Sequence, residues 1–320
     1  MNPRDRWGRR LRRAMQACTR WPALLDPLKA LWLGLGIALL KFGPLRGWQP
    51  ALATDSGLRL VGGATDSMLN LIIFIRGVFE PTLSRVIEQV VQEGDVCVDA
   101  GANVGYFTLL LARLCGAHGR VISIEAAPRN VRRIHQNLQL NALVGRVQVV
   151  EAACTDVTGD VRFYINTRND MHCRLSLPVR AELEYWLTGG AASWRAVTVR
   201  ADTLSAMLGD EAALVTFIKL DIEGAEHRVV ADLLRVCTHP RLKVALEAKV
   251  PYIRATLEPF ERAGFRIDDL RNNYRWTMNR DFATPRACSF EQAYAHRFMV
   301  DVLLSREPLA AAPAPSATGQ

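Results

Sequence analysis

The stretch Val96-Cys97-Val98-Asp99-Ala100-Gly101-Ala102-Asn103-Val104-Gly105 decides how the rest of the chain is read. Residues 96–98 have the composition of a buried strand, and residues 104–114 form an apolar run of helical length. In the loop between them, Gly101 permits a tight turn and Gly105 permits close backbone approach. Ligands of open α/β sheets bind beyond the carboxyl ends of the strands, so this loop faces a bound molecule. Its spacing, D-x-G-x-x-x-G, is neither the dinucleotide pattern G-x-G-x-x-G nor the phosphate-binding G-x-x-x-x-G-K. No Lys or Arg stands in the loop to meet a phosphate. An acidic Asp99 would repel phosphate and suits a cation such as a sulfonium.

The next strand, residues 121–124, ends at Glu125, 26 positions after Asp99 and about one strand–helix unit further on. A carboxylate there can accept hydrogen bonds from both hydroxyls of a ribose. Together Asp99 and Glu125 describe a nucleoside cofactor without a phosphate, which points to S-adenosylmethionine. The same alternation runs on. Strands are expected at 147–150, 217–220, 242–246 and 299–304, and helices at 128–140, 225–236 and 253–263. Residues 69–75 are apolar and β-rich, and Pro81 after Glu80 signals the start of another helix. Regular strand–helix alternation means parallel pairing with right-handed crossovers, hence a doubly wound, mostly parallel α/β sheet of Rossmann-like form. Between 158 and 200 the pattern lapses, so an inserted hairpin and loop is expected there, where insertions often shape a substrate site.

A third charged element, Lys219-Leu220-Asp221-Ile222-Glu223-Gly224-Ala225-Glu226, ends a strand and enters a helix on the same sheet edge. Methyl transfer is an in-line displacement at the sulfonium carbon, so an enzyme must align acceptor and methyl and help remove the hydroxyl proton. Asp221 is the first candidate for the base or acceptor-orienting group, with Glu223 second. Lys219 would tune these carboxylates or hold an acidic substrate. The competing reading is that these charges only cap the helix and pair with one another.

Together with these elements, residues 75–305 resemble the FkbM family of methyltransferases. The matching segments are Gly94 to Tyr106, Glu125-Ala126-Ala127-Pro128, the Lys-x-Asp-x-Glu-Gly-x-Glu element at 219–226, and Gly77-Val78-Phe79-Glu80-Pro81. The resemblance implies a class I S-adenosylmethionine-dependent fold and, usually, methylation of a hydroxyl on a sugar or polyketide. It implies cofactor contacts at Asp99, Gly101, Ala102, Asn103, Gly105, Tyr106, Glu125 and Ala126. One departure stands at the end of the fifth strand, where relatives tend to carry Glu-x-His and this chain reads Glu247-Ala248-Lys249.

Apolar residues make up 49% and charged residues 22% of the 320, which excludes collagen-like, wholly disordered and multi-spanning membrane classes. The charge is unevenly placed. Residues 1–50 carry ten Lys and Arg against Asp5 and Asp26, while residues 51–320 carry thirty of each sign. A neutral body disfavours nucleic acid as a partner. Within the basic arm, Trp7, Leu11, Met15 and Cys18 recur at roughly helical spacing among Arg6, Arg9, Arg10, Arg12 and Arg13. That is a basic amphipathic helix, suited to peripheral contact with an anionic membrane. Residues 30–40 are eleven apolar or Gly residues between Lys29 and Lys41, short of the about 20 a spanning helix needs. A helical arm packed on the domain, or an anchor or signal, are the other readings of this segment. The expected organisation is an arm at 1–50, a methyltransferase domain at 51–307 and an uncharged, disordered tail at 308–320.

Seven cysteines, an odd number without C-x-x-C spacing, read as reduced thiols of a cytoplasmic protein. No H-E-x-x-H, zinc-finger or EF-hand pattern occurs, so no metal is expected. Weaker candidates are His172, beside Asp170 and Arg174 in the inserted loop, and the cluster Arg271, Tyr274, Arg275 and Trp276, which could stack on a sugar ring. Asn137 and Asn141 read as helix-ending residues and His227 as a solvated or structural side chain. The sequence therefore describes an S-adenosylmethionine-dependent O-methyltransferase acting on a hydroxylated small molecule, glycan, glycolipid or polyketide. The alternatives are an N-methyltransferase, or a membrane-associated scaffold that binds the cofactor without catalysis.

Overall fold

The computed structural model describes residues 3–20, 26–46, 52–63, 66, 68–166, 173–175, 193–271 and 284–309. Its first six helices are α1 (Pro3–Arg20), α2 (Asp26–Lys41), α3 (Met68–Arg76), α4 (Pro81–Val90), α5 (Tyr106–Leu114) and α6 (Pro128–Leu140). The strands are β1 (Leu52–Ala53), β2 (Arg59–Leu60), β3 (Val96–Ala100), β4 (Arg120–Glu125), β5 (Val147–Glu151), β6 (Ala153–Cys154), β7 (Gly159–Asn166), β8 (Cys173–Arg174), β9 (Trp194–Asp202), β10 (Val215–Leu220), β11 (Lys243–Lys249), β12 (Arg266–Asp269), β13 (Arg286–Cys288) and β14 (Met299–Ser305).

Eight strands form the central sheet in the order β13-β12-β14-β11-β10-β3-β4-β5. β5, β4, β3, β10 and β11 pair in parallel, and β14 runs antiparallel between β11 and β12. This is the doubly wound, mostly parallel α/β form expected from the alternation. Parallel strands are covered on both faces and so read as continuous apolar runs; all six residues of β10 are buried, Lys219 included. Alternate side chains feed two cores. Val98, Ile122, Ile218 and Val244 point to one layer of helices, and Cys97, Val121, Phe217 and Ala245 to the other. The chain leaves β3 outward to β4 and β5, then returns to β10 on the far side of β3. That reversal opens a crevice beyond the carboxyl ends of β3 and β10, where ligands of such sheets bind.

Residues 69–75, β-rich in composition, lie inside helix α3. Leu69, Leu71, Ile73, Phe74 and Ile75 are all buried, and a helix covered on every side shows no period to distinguish it from a strand. The lapse between 158 and 200 holds β7, β8 and most of β9, which with β6 form a second sheet in the order β6-β9-β7-β8; β7 pairs antiparallel with both β8, the next strand in sequence, and β9. Asn137 and Asn141 tie β2 to α6. Asn137 donates to the Val104 carbonyl at 2.8 Å and accepts from the Val61 N–H at 2.7 Å, while Asn141 accepts from the Arg59 N–H at 2.9 Å.

The basic helix read at the N-terminus is α1, and it packs on the domain. Met15, with Leu33 and Leu40 of α2, belongs to the same buried cluster as Ile73, Phe74 and Leu109. The side chains of Arg12 and Gln16 donate to the Phe74 carbonyl at 3.2 and 3.4 Å, and Arg12 also donates to the Ala53 carbonyl. Gly36 makes room for Met15, since a Cβ there would lie 2.6 Å from its sulfur. No described helix is long and apolar enough to cross a membrane.

Candidate active site

The carboxyl ends of β3, β4 and β10 bring the 99–105 loop, Glu125 and the 219–226 element to one edge of the sheet. Gly101 permits this convergence. Its φ is +81°, and a Cβ on it would lie 1.8 Å from the Asp221 carbonyl oxygen. The Asp221 N–H donates to the Ala100 carbonyl at 3.0 Å, and the Gly101 and Ala102 N–H groups donate to the Ile124 carbonyl at 2.9 and 3.0 Å. The three strand ends are therefore stitched together through main chain. Gly105, at φ +87°, precedes α5 and faces Ile134 of α6, whose side chain lies 3.2 Å from the position a Cβ would take.

Asp99 is fully buried. Its Oδ2 accepts from the Thr108 hydroxyl at 2.6 Å, and Thr108 in turn meets the Ser123 hydroxyl at 2.8 Å. Its Oδ1 has no hydrogen bond and lies 3.9 Å from Lys219 Nζ. Burial raises the Asp99 pKa, opposed by Lys219 and the Thr108 hydrogen bond. Burial alone would lower the pKa of Lys219, but the carboxylates of Asp221, Asp99 and Glu80 outweigh it and keep the ammonium charged. Lys219 Nζ donates to Asp221 Oδ2 at 3.1 Å and sits 5.2 Å from the centre of the Phe107 ring.

Glu125 is buried at the end of β4. Its Oε2 accepts from the Asn103 N–H at 2.8 Å, and its Oε1 accepts from the Ala127 N–H at 2.8 Å and from the Asn130 side chain at 3.5 Å. Burial pushes its pKa up to about 7 against these bonds. A carboxylate offers about four acceptor sites, so capacity for hydroxyl donors is left. Asn103 holds a left-handed φ of +53°, which aims its N–H at Glu125. Ala102 and Ala126 are buried beside them. Tyr106 is buried too, its hydroxyl 3.1 Å from that of Ser84 and its ring edge-on to Phe79 and Phe107.

In the 219–226 element, Glu226 pins the turn. Its Oε1 accepts from the Ile222 and Gly224 N–H groups at 2.9 and 3.2 Å. Glu223 and Gly224 hold φ of +58° and +92°. Lys249, standing where relatives tend to carry His, donates to Glu223 Oε2 at 2.8 Å and lies 2.6 Å from Glu247 Oε1. A cleft open to solvent lies against this group; Glu80, Thr82, Lys219, Asp221, Glu247, Leu270 and Asp301 are among its lining.

Of the weaker candidates, Asp170, His172, Tyr274, Arg275 and Trp276 lie outside the described residues, and Arg271 is exposed at the end of β12. His227 stacks on Tyr252 with ring centres 3.9 Å apart, the structural role read for it. Arg174, only a neighbour of His172 in sequence, is buried in β8, and its Nη2 lies 3.3 Å from where a Gly224 Cβ would be. The inserted sheet thus touches the 222–226 turn, and the lone Gly of that charged motif was its one sequence signal.

A switch-point sheet with this acidic, phosphate-averse edge defines a class I S-adenosylmethionine-dependent methyltransferase. The family model described as the methyltransferase FkbM domain matches residues 99–269, and the chain belongs to that family. Among solved structures it is similar to an S-adenosylmethionine-dependent O-methyltransferase from Thermotoga maritima, at 15% identity and a TM-score of 0.39, covering 80% of this chain and 77% of that one. It is also similar to precorrin-6y C5,15-methyltransferase from Geobacter metallireducens, at 12% identity and a TM-score of 0.38, covering 70% and 87% of the two chains. No curated protein matches it. When bound, S-adenosylmethionine supplies an electrophilic methyl group on a sulfonium. The residues present fit it: Glu125 retains acceptor capacity for the ribose, and Asp99 Oδ1 is a buried acceptor without a hydrogen bond.

Proposed function

We propose that the protein transfers a methyl group to a hydroxyl of a glycan, glycolipid or polyketide-like acceptor. The observation that carries this reading is the Lys219–Asp221 pair, 3.1 Å apart at the end of β10 and lining the cleft beside the Asp99 loop. Glu125 takes the ribose hydroxyls, and the 101–105 backbone with Ala102, Asn103, Tyr106 and Ala126 frames the cofactor over Asp99. Asp221, fixed by the buried ammonium of Lys219, orients the acceptor oxygen, and Glu223 with Lys249 borders it. Orientation at this precision is worth a great deal, because misplacement by about 1 Å can cost about a hundredfold in rate. The test is transfer of isotopically labelled methyl from S-adenosylmethionine into extracted glycans, glycolipids and secondary metabolites. Label in an ether of a hydroxylated fraction is expected, lowered about a hundredfold in Asp221→Asn at unchanged cofactor affinity. Label on nitrogen, or wild-type rates in the variant, contradict the reading.

The same reading sets the enzyme peripherally on the cytoplasmic face of an anionic membrane. Its support is α2, which is apolar on two sides. Leu33 and Leu40 are buried, while Leu28, Leu31, Trp32, Leu35, Leu39 and Phe42, one stripe at three- and four-residue spacing, are 36–83% exposed. A patch of this kind marks an interaction surface. Ten cations against two acids in residues 1–50 favour anionic headgroups as the occupant and oppose a second, equally charged arm.

A further inference from the structure

We propose that Glu80 is the proton acceptor of the reaction, the group to which the acceptor hydroxyl gives its proton in the cleft beside Lys219 and Asp221. The assignment rests on the hydroxyl-methylation reading above. Glu80 joins α3 to α4 with φ +38° and ψ +71°, a left-handed conformation that costs a residue with a Cβ about 1–2 kcal/mol. Glu is not among the residues preferred at an N-cap. The Glu80 side chain makes no capping bond. Neither backbone ease nor helix capping accounts for the residue, and its side chain lines the cleft instead.

Two of the cleft's other carboxylates, Asp221 and Glu247, are already engaged in ion pairs. Asp221 has Lys219 at 3.1 Å, and Glu247 has Lys249 at 2.6 Å. An ion-paired carboxylate is a weakened base, because its charged form is stabilised before any proton arrives. The Glu80 carboxylate has no such partner: among the described residues no cation lies within 4.0 Å of it. The charged and titratable groups that face it are Asp99 from β3, Tyr106 from α5, Lys219 and Asp221 from the end of β10, Glu247 from β11 and Asp301 from β14. Burial pushes the Glu80 carboxyl up to about 8; Lys219 opposes the rise, and Asp221, Glu247 and Asp99 add to it. A base tuned near the working pH is the efficient one.

The step balances in charge as well as atoms. The oxygen–methyl bond forms as the sulfur–methyl bond breaks with its electron pair left on sulfur, and the hydroxyl proton passes to Glu80 and then to water. One sulfonium and one carboxylate become a thioether and a carboxylic acid. The partly desolvated position of Glu80 at the cleft wall favours that loss of charge, whereas an ion-paired base would leave its cation uncompensated.

The test uses the full chain with the acceptor fraction that takes up labelled methyl, assayed from pH 6 to 9. The wild-type rate should climb with pH and level off above about 8, and Glu80→Gln should lower it about a hundredfold or more and flatten the profile. Calorimetric affinity for S-adenosylmethionine should not change, and Glu80→Asp should restore part of the rate. A second reading needs no acceptor: in protein labelled with ¹³C at glutamate carboxyls, the resonance lost in Glu80→Gln should titrate near 8. Wild-type rate and pH profile in Glu80→Gln, or titration of that resonance in the ordinary carboxyl range, overturn the assignment alone. A wild-type chain that binds the cofactor and labels no hydroxylated fraction overturns the methylation reading, and this assignment with it.

Discussion

A Cβ at Gly101 would stand 1.8 Å from a carbonyl oxygen of the neighbouring strand end, and Glu80 keeps a left-handed backbone with a side chain attached. Gly101 adopts its positive φ freely and lets the strand ends meet, whereas Glu80 gives up local ease to bring its carboxylate to the cleft, the pattern expected where strain is kept for function. Glu80 makes the cost measurable. Its carboxyl titrates near 8 in the fold and near 4.5 when unfolded, so between those values the folded state holds the extra proton. The stability this contributes is full below about 4.5 and is lost as pH rises to about 8. Glu80→Gln, which cannot ionise, should therefore melt with the wild type at pH 4.5 and above it at pH 8.5. Equal melting temperatures at both pH values would show that Glu80 is not held neutral in the fold.

At the scale of elements, the strands at 96–100, 120–125 and 215–220 and the helix at 106–114 were legible as short apolar runs, and the helix at 128–140 as an amphipathic stripe running from Pro128 to Asn141. Three things were hidden. α3 is buried on all sides and so has no period. β12 and β13 are short, and polar residues stand on both faces, Arg266 and Asp268 on one and Asp269 and Arg286 on the other. The Lys249 pairs join β11 to a turn 26 positions upstream, a contact that exists only after the sheet is built. Asp99, Glu125 and Asp221 were readable as strand-end acids, whereas Glu80 looked like an ordinary helix start. Lys249 also carries a prediction for its element. Lys249→Met removes the ammonium that meets both Glu223 and Glu247, and breaking such a pair costs about 3–5 kcal/mol when fully buried, less here because each carboxylate is about one-sixth exposed. Thermal melts should show a loss at pH 7 that shrinks at pH 4, where the carboxyls take up protons; a loss independent of pH would mean that packing, not charge, is what Lys249 contributes.

The molecule as a whole is a neutral catalytic body with a basic, doubly apolar arm set into its core. If the open stripe of α2 lies on lipid, the full-length chain should sediment with vesicles containing phosphatidylglycerol and not with phosphatidylcholine alone, and salt should weaken it. Leu31→Glu with Leu35→Glu, both at exposed positions, should abolish sedimentation and leave the circular dichroism spectrum unchanged. Undiminished sedimentation of that variant, or a wild-type dimer that the variant dissolves, would contradict a lipid partner. The body itself stands or falls on its cofactor edge, and the direct measurement is calorimetric titration of the full chain with S-adenosylmethionine. Saturable binding at one site per chain is expected, weakened about ten- to a hundredfold in Glu125→Ala through loss of charged hydrogen bonds worth about 1.5–3 kcal/mol. No binding by a folded wild-type chain, or an affinity untouched in Glu125→Ala, would contradict it.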